Sequence, residues 1–238
     1  MSSQHTVIVG GSSGIGLATA RHLLAAGVRV TITGRDEARL VEAGRELGLQ
    51  ANVLQMDATA AAELPAQFAR IGTFDHLVLA LGSGKGAGPF RTLDLADVKL
   101  GFEEKVYAHF ATAQAALPYL NRAGSITFVS AVSAQAAVPG TAGLGAANAA
   151  VAALVPILAV ELKPLRVNGV SPGVIDTPWW DAFPEDRKRA MFDDYAAKTP
   201  VGRVGRPDDV AKAIAFLIDD DFITGHMLIC DGGLRFTA

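Results

Sequence analysis

Short apolar runs recur along the chain, near 6–10, 28–33, 50–55, 75–81, 124–130, 165–171 and 226–230. Most are continuously apolar rather than alternating, the pattern of strands covered on both faces. Longer stretches with helical spacing lie between them, near 14–26, 36–47, 60–69, 96–121, 141–163 and 207–219, with a looser helical insertion around 178–197. This alternation predicts one α/β domain over residues 1–238, a doubly wound, mostly parallel seven-stranded sheet with helices on both faces. No repeat, low-complexity tract or linker divides it. Pro156 falls inside the helix expected over 141–163 and predicts a kink or break there.

Composition narrows the function classes. Half of the 238 residues are hydrophobic and 19% are charged, which excludes a disordered polymer and a disulfide scaffold. Twenty-one basic against 24 acidic residues leave a net charge of -3, so no global field draws the chain to nucleic acid or to a membrane surface. Cys230 is the single cysteine; it reads as a small core residue and fits a reducing compartment. Residues 1–6 carry no cationic or long apolar leader, which points to the cytoplasm. The segment 123–160 has no formal charge, but Ser, Gln, Pro, Gly and Asn interrupt it, so it reads as buried structure rather than a membrane span. No metal ligand set stands out.

The candidate chemistry begins at Gly10-Gly11-Ser12-Ser13-Gly14-Ile15-Gly16, directly after a strand and before an apolar helix start. Glycines there permit a tight turn and close approach to phosphate, and the helix N-terminus offers unpaired N–H groups and partial positive charge to a pyrophosphate. The second strand ends in Gly34-Arg35-Asp36, where a dinucleotide unit meets the adenosine ribose. An acid at that point would accept from a 2′-hydroxyl; Gly34 removes it, and Arg35 supplies a planar donor fork suited to a 2′-phosphate. NADP(H) is therefore expected in preference to NAD(H). Asp36 is also placed to cap the next helix.

At this point the sequence resembles the short-chain dehydrogenases/reductases over nearly its whole length, which implies a Rossmann-like fold. Asp57 and Ala58 stand where the family contacts adenine, and Leu79-Ala80-Leu81-Gly82 stands where it usually has Asn-Asn-Ala-Gly, so Ala80 and Gly82 are carried over as cofactor contacts. Val9 replaces a frequent threonine before Gly10. The segment from Arg166 to Thr177 looks like the nicotinamide-side loop, with Pro172, Gly173, Ile175 and Thr177 expected at the cofactor. Gly202 to Pro207, Ile223-Thr224-Gly225 and Asp231-Gly232-Gly233 match segments that serve helix capping and subunit packing, and the resemblance implies a homodimer or homotetramer.

The resemblance also implies a proton-transfer group of four: a tyrosine, a lysine four residues later, a serine about thirteen residues before the tyrosine, and an asparagine on an earlier helix. Here those positions hold Leu144, Asn148, Ala131 and Lys105, and no tyrosine lies between Tyr119 and Tyr195 to restore the pair in another register. Losing one general acid removes roughly 10² to 10⁴ in rate. The family's ordinary catalysis is thus expected to be nearly abolished, and the first expectation is a noncatalytic or regulatory nucleotide binder. Two alternatives stay open. One is a divergent NADP(H)-dependent oxidoreductase of small carbonyls or alcohols that uses Lys105, Ser133 or His109; the other is a scaffold that no longer binds cofactor. Lys105 reads either as an ammonium entering the site or as a snorkelling lysine paired with Glu103 or Glu104. His109 lies one turn later on roughly the same face and reads more readily as a structural or interface histidine, and Ser133 as a loop hydroxyl. Trp179, Trp180 and Phe183, followed by Phe192 and Tyr195, populate the insertion that would overhang the nicotinamide, where they either line an apolar ligand pocket or pack as a lid.

Overall fold

Seven strands, β1 (His5–Val9), β2 (Arg29–Gly34), β3 (Ala51–Gln55), β4 (Phe74–Leu79), β5 (Leu120–Val129), β6 (Arg166–Pro172) and β7 (Met227–Cys230), pair in the order β3-β2-β1-β4-β5-β6-β7. The computed structural model describes residues 4–237; residues 1–3, part of the segment read as lacking a leader, and Ala238 lie outside the described residues. Every pairing is parallel, so the sheet is wholly rather than mostly parallel.

The helices are α1 (Gly14–Ala25), α2 (Glu37–Leu47), α3 (Leu64–Ile71), α4 (Leu95–Phe102), α5 (Ala108–Ala116), α6 (Ala142–Glu161), α7 (Glu185–Lys198) and α8 (Pro207–Asp219). Even inside continuously apolar strands, successive side chains go to opposite faces. Val7, Val9, Leu77 and Leu79 pack with Phe68 of α3, Ala113 of α5 and Val151 of α6. Ile8, Ile32 and Val78 pack with Leu23 of α1, Leu40 of α2 and Ile214 of α8. These two cores, one on each face, are why the strands lack polar alternation. The strand order reverses between β1 and β4, and in such sheets the crevice at the carboxyl ends of the strands beside that reversal is where ligands bind.

Four local expectations are corrected. The helix expected over 96–121 is α4, a π-helical turn Glu103–Tyr107, α5 and a 3₁₀ turn Leu117–Tyr119; the π turn inserts a residue into the ladder and resets the helical phase at Lys105. The helix expected from residue 60 begins at Leu64, because Asp57 accepts from the Thr59 N–H at 2.9 Å and holds a turn ahead of it. β5 begins at Leu120 rather than 124, its polar start pairing with Phe74 across an irregularity in β4. α6 runs unbroken through Pro156. Proline deletes one backbone donor, and the alanine-rich helix, anchored by buried Val151 and Val155, continues past it. By length and composition α6 would also suffice to cross a membrane, yet its Val151–Val155 face is seated on the sheet.

Candidate active site

The turn after β1 sets the site. Gly10 has φ +84° and sits against the end of β4, where a Cβ would meet the Ala80 carbonyl oxygen at 2.5 Å. Only glycine satisfies both conditions. Ser13 is the extended N-cap of α1 and makes no side-chain cap bond, and the first helical bond runs from the Leu17 N–H to the Ser13 carbonyl. The N–H groups of the first turn therefore face the crevice with the positive end of the helix dipole.

Two cavities share this turn, one of about 480 Å³ and one of about 220 Å³, with Gly10, Ser13, Ala80, Leu81 and Gly82 common to both. The smaller gathers the residues expected at the adenosine end. Ser12, Arg35, Asp57 and Ala58 line it as expected, joined by Arg39, which the sequence reading missed although it lies four residues after Arg35. Asp36 caps α2 by accepting from the Arg39 N–H at 3.0 Å, and its other oxygen lies 3.6 Å from the Arg39 Nε. The larger cavity takes in Gly14, Ile15, Gly16, Pro172, Gly173, Ile175 and Thr177, so every expected cofactor position faces one cavity or the other.

The far end of the large cavity gathers Lys105, Ala131, Ser133, Leu144 and Asn148. The Asn148 Nδ2 donates to the Ser133 Oγ at 3.1 Å and to the Leu144 carbonyl at 2.9 Å. Its Oδ1 is buried without a partner. Lys105 neither snorkels nor pairs with an acid. Its Nζ donates to the Leu81 carbonyl at 2.7 Å and to the Val129 carbonyl at 2.8 Å, bridging the carboxyl ends of β4 and β5. Glu104 instead accepts from the Ser83 Oγ at 2.7 Å. With only 7% of Lys105 exposed, burial pushes its ammonium down to about 7.

His109 is corrected as a candidate proton carrier: it does not line the cavity. It is fully buried, stacked on Phe128, with its Nδ1 2.6 Å from the Lys105 carbonyl and its Nε2 3.2 Å from the Leu79 carbonyl. Burial, reinforced by the Lys105 charge, pushes it down to about 3. The ring is neutral at pH 7 and can donate to only one of the two carbonyls. Phe183 is likewise absent from the lining and packs behind Trp179 and Trp180, at ring distances of 6.2 and 5.8 Å. Trp179, Trp180 and Tyr195 do reach the cavity. Trp180 is pinned by its Nε1 bond to the Ile175 carbonyl at 2.9 Å, and Trp179 reaches the Ser83 carbonyl at 3.4 Å. The sequence reading also missed Lys85, paired with Asp97 at 3.3 Å, and Leu234 from the C-terminal turn.

A nicotinamide dinucleotide fits these residues on two counts. The glycine turn and open helix end suit its pyrophosphate, and the orphaned Asn148 Oδ1 is an acceptor suited to a hydroxyl donor.

Comparison with known proteins agrees with this geometry. The family described as enoyl-(acyl carrier protein) reductase matches residues 9–235. A cis-4-hydroxycyclohexanecarboxylate dehydrogenase of Sinomonas cyclohexanicum is 36% identical over 240 residues, covering 95% of this chain and 94% of its own. A solved short-chain dehydrogenase/reductase of the glucose/ribitol dehydrogenase type from Brucella melitensis superposes with a TM-score of 0.89 at 30% identity, covering 97% of this chain and 96% of its own. A small-chain dehydrogenase solved in complex with NADPH gives 0.85 at 29% identity, covering 98% and 99%.

Proposed function

Because the chain belongs to the short-chain dehydrogenase/reductase family, we propose that it is an NADP(H)-dependent oxidoreductase of small carbonyls or alcohols whose proton-transfer groups stand in other places than the family's. The observation that carries this reading is the pair of cavities sharing the glycine turn, the smaller lined by Arg35 and Arg39 and the larger by a buried amine, Lys105, and by Trp179 and Trp180. The relatives favour turnover over the noncatalytic role that the substituted positions first suggest. Bound NADPH supplies a hydride, so the protein has only to bind, orient and exchange a proton.

Each part of the site has a task. The first turn of α1 and Thr177 hold the phosphates. Arg35, with Arg39 behind it, favours the 2′-phosphate, while Asp57, accepting from both the Thr59 N–H and Oγ1, is fixed at the adenine end. The Asn148 Oδ1 accepts a hydroxyl of the cofactor ribose or of the substrate. Leu144, Val138, Trp179, Trp180 and Leu234 exclude water and prefer an apolar substrate body. The similarity to a dehydrogenase of a hydroxycyclohexane carboxylate supports a small cyclic substrate.

Calorimetric titration with NADPH and NADH, followed by a screen of cyclic ketones and aromatic aldehydes read as NADPH oxidation, tests this. Binding with turnover is expected. Binding without turnover would leave the nucleotide-binding role, and no binding would leave a scaffold. A homo-oligomer is proposed from the same family resemblance; exposed Ile157 and Val160 on α6, and exposed Tyr107 on the π turn packed against that helix, support it. Light scattering after gel filtration should give a mass of two or four chains.

A further inference from the structure

The coordination of one amine carries the mechanism further, on the premise that the protein is an oxidoreductase. We infer that Lys105 is the acid–base group of the reaction, working through the single position on its Nζ that the protein leaves unbonded. Three positions on an amine nitrogen remain after its bond to Cε. The Leu81 and Val129 carbonyls take two of them, at 2.7 and 2.8 Å. Both contacts need a donor, so they hold an N–H each whether the nitrogen is ammonium or neutral amine. The third position is an N–H in one state and a lone pair in the other. Lys105 lines the large cavity and has no further partner among the described residues.

Nothing else lining that cavity matches this arrangement. Ala131 and Leu144 carry no proton. Arg39 is paired with Asp36 at the nucleotide end, and Lys85 with Asp97. Tyr195, the only phenol in the lining, lies on α7 against Trp180 with Lys198 over its ring. Around Lys105 itself, its own helical segment brings neutral His109 and Glu104, the latter bonded to Ser83. The turn after β5 brings Ser130 and Ser133 and α6 brings Asn148, none of which ionises, and the loop after β4 brings Lys85. No carboxylate pairs with the amine to pin its charge, and burial alone brings its ionisation close to neutrality.

In the reduction, the carbonyl carbon gains the hydride given up by reduced nicotinamide, which is thereby oxidised. The carbon–oxygen π bond breaks, and its oxygen takes the proton of the third N–H. Lys105 is left as a neutral amine and regains a proton from solvent. Alcohol oxidation runs the same transfers backwards, with the lone pair as base.

The test uses the full chain with ¹⁵N-labelled lysine. The Nζ signal missing from Lys105→Met should titrate near pH 7. In steady-state assays with NADPH and the carbonyls found in the screen, Lys105→Met and Lys105→Arg should both lose roughly 10²- to 10⁴-fold in kcat. Arginine keeps the charge and the donors but cannot release a proton, so the Arg variant separates proton transfer from electrostatics. Reduction by the unsubstituted chain should fall as pH rises through about 7, and oxidation should rise. An ordinary lysine titration, or turnover retained by Lys105→Arg, would overturn the assignment while leaving the oxidoreductase reading intact. So would turnover that disappears in Tyr195→Phe but survives in Lys105→Met. NADPH binding without turnover in the unsubstituted chain would instead defeat the oxidoreductase reading, and this assignment with it. If neither Lys105 variant folds, the pH profile of the unsubstituted chain decides: reduction that does not fall through about pH 7 overturns the assignment.

Discussion

An ammonium taken out of water loses several kcal/mol of hydration, and Lys105 recovers only two backbone hydrogen bonds. With its ionisation pushed down to about 7, the burial costs about 5 kcal/mol below pH 7 and fades as pH climbs toward 10.5. Lys105→Met, which strands two carbonyls at about 1 kcal/mol each, should therefore be more stable by roughly 3 kcal/mol at pH 7. Urea unfolding measures this, and a less stable variant would show that the lysine is a structural strut. At the other end of the site, Arg35→Ala should raise the Kd for NADPH about tenfold more than that for NADH, since a charge-assisted contact contributes ~1.5 kcal/mol or more. Equal losses for both nucleotides would remove the 2′-phosphate role. That the residues expected at the cofactor line the two cavities was legible in the sequence, because backbone turns and charges there act through local spacing. The place of Phe183 was not, because which side of a lid faces a cavity depends on what packs against it, whereas His109 is the structural histidine that the sequence favoured.

Among the elements, the segment from α4 to α5 departs furthest from its local pattern. Apolar spacing reads as one long helix over 96–121, but nothing in that spacing announces a π turn, whose Lys105 reaches one carbonyl just past β4 and one at the end of β5. α6 departs in the opposite sense, staying whole where its sequence predicts a break. Pro156 is exposed and still removes one donor, so Pro156→Ala should stabilise the protein by about 1–3 kcal/mol in urea unfolding. The lid offers its own readout. Trp179 and Trp180 are the only tryptophans in the chain and both line the large cavity, so intrinsic fluorescence should change on titration with NADPH. An emission spectrum indifferent to saturating nucleotide would place the nicotinamide away from the lid.

For the whole molecule, buried histidines shape the response to acid: His5 in β1 is held down by burial, and His76 in β4 and His109 against the sheet are held down further. Burial pushes His76 down to about 4 and His109 down to about 3. Each is neutral in the folded chain and protonated in the unfolded chain as pH drops below 6.5, so the folded state loses stability on acidification. Between pH 7 and pH 5 the loss is about 2 kcal/mol for each. Paired urea denaturations at the two pH values check this, and His76→Gln should remove about half of the difference. Asp209, held down to about 2 chiefly by its Arg203 hydrogen bonds, stays ionised throughout that range.

By itself the sequence determined the βαβ rhythm, the seven strands, the glycine turn after β1 and the residue types where the family resemblance expects proton transfer, because periodicity, glycine and local charge act over a few neighbours. The tertiary structure decided the strand order, the wholly parallel pairing, the unbroken α6 and the state of Lys105. Those depend on groups brought together from distant parts of the chain: a carbonyl from the loop after β4 and one from the end of β5 converge on one amine, and burial then sets how tightly that amine holds its proton.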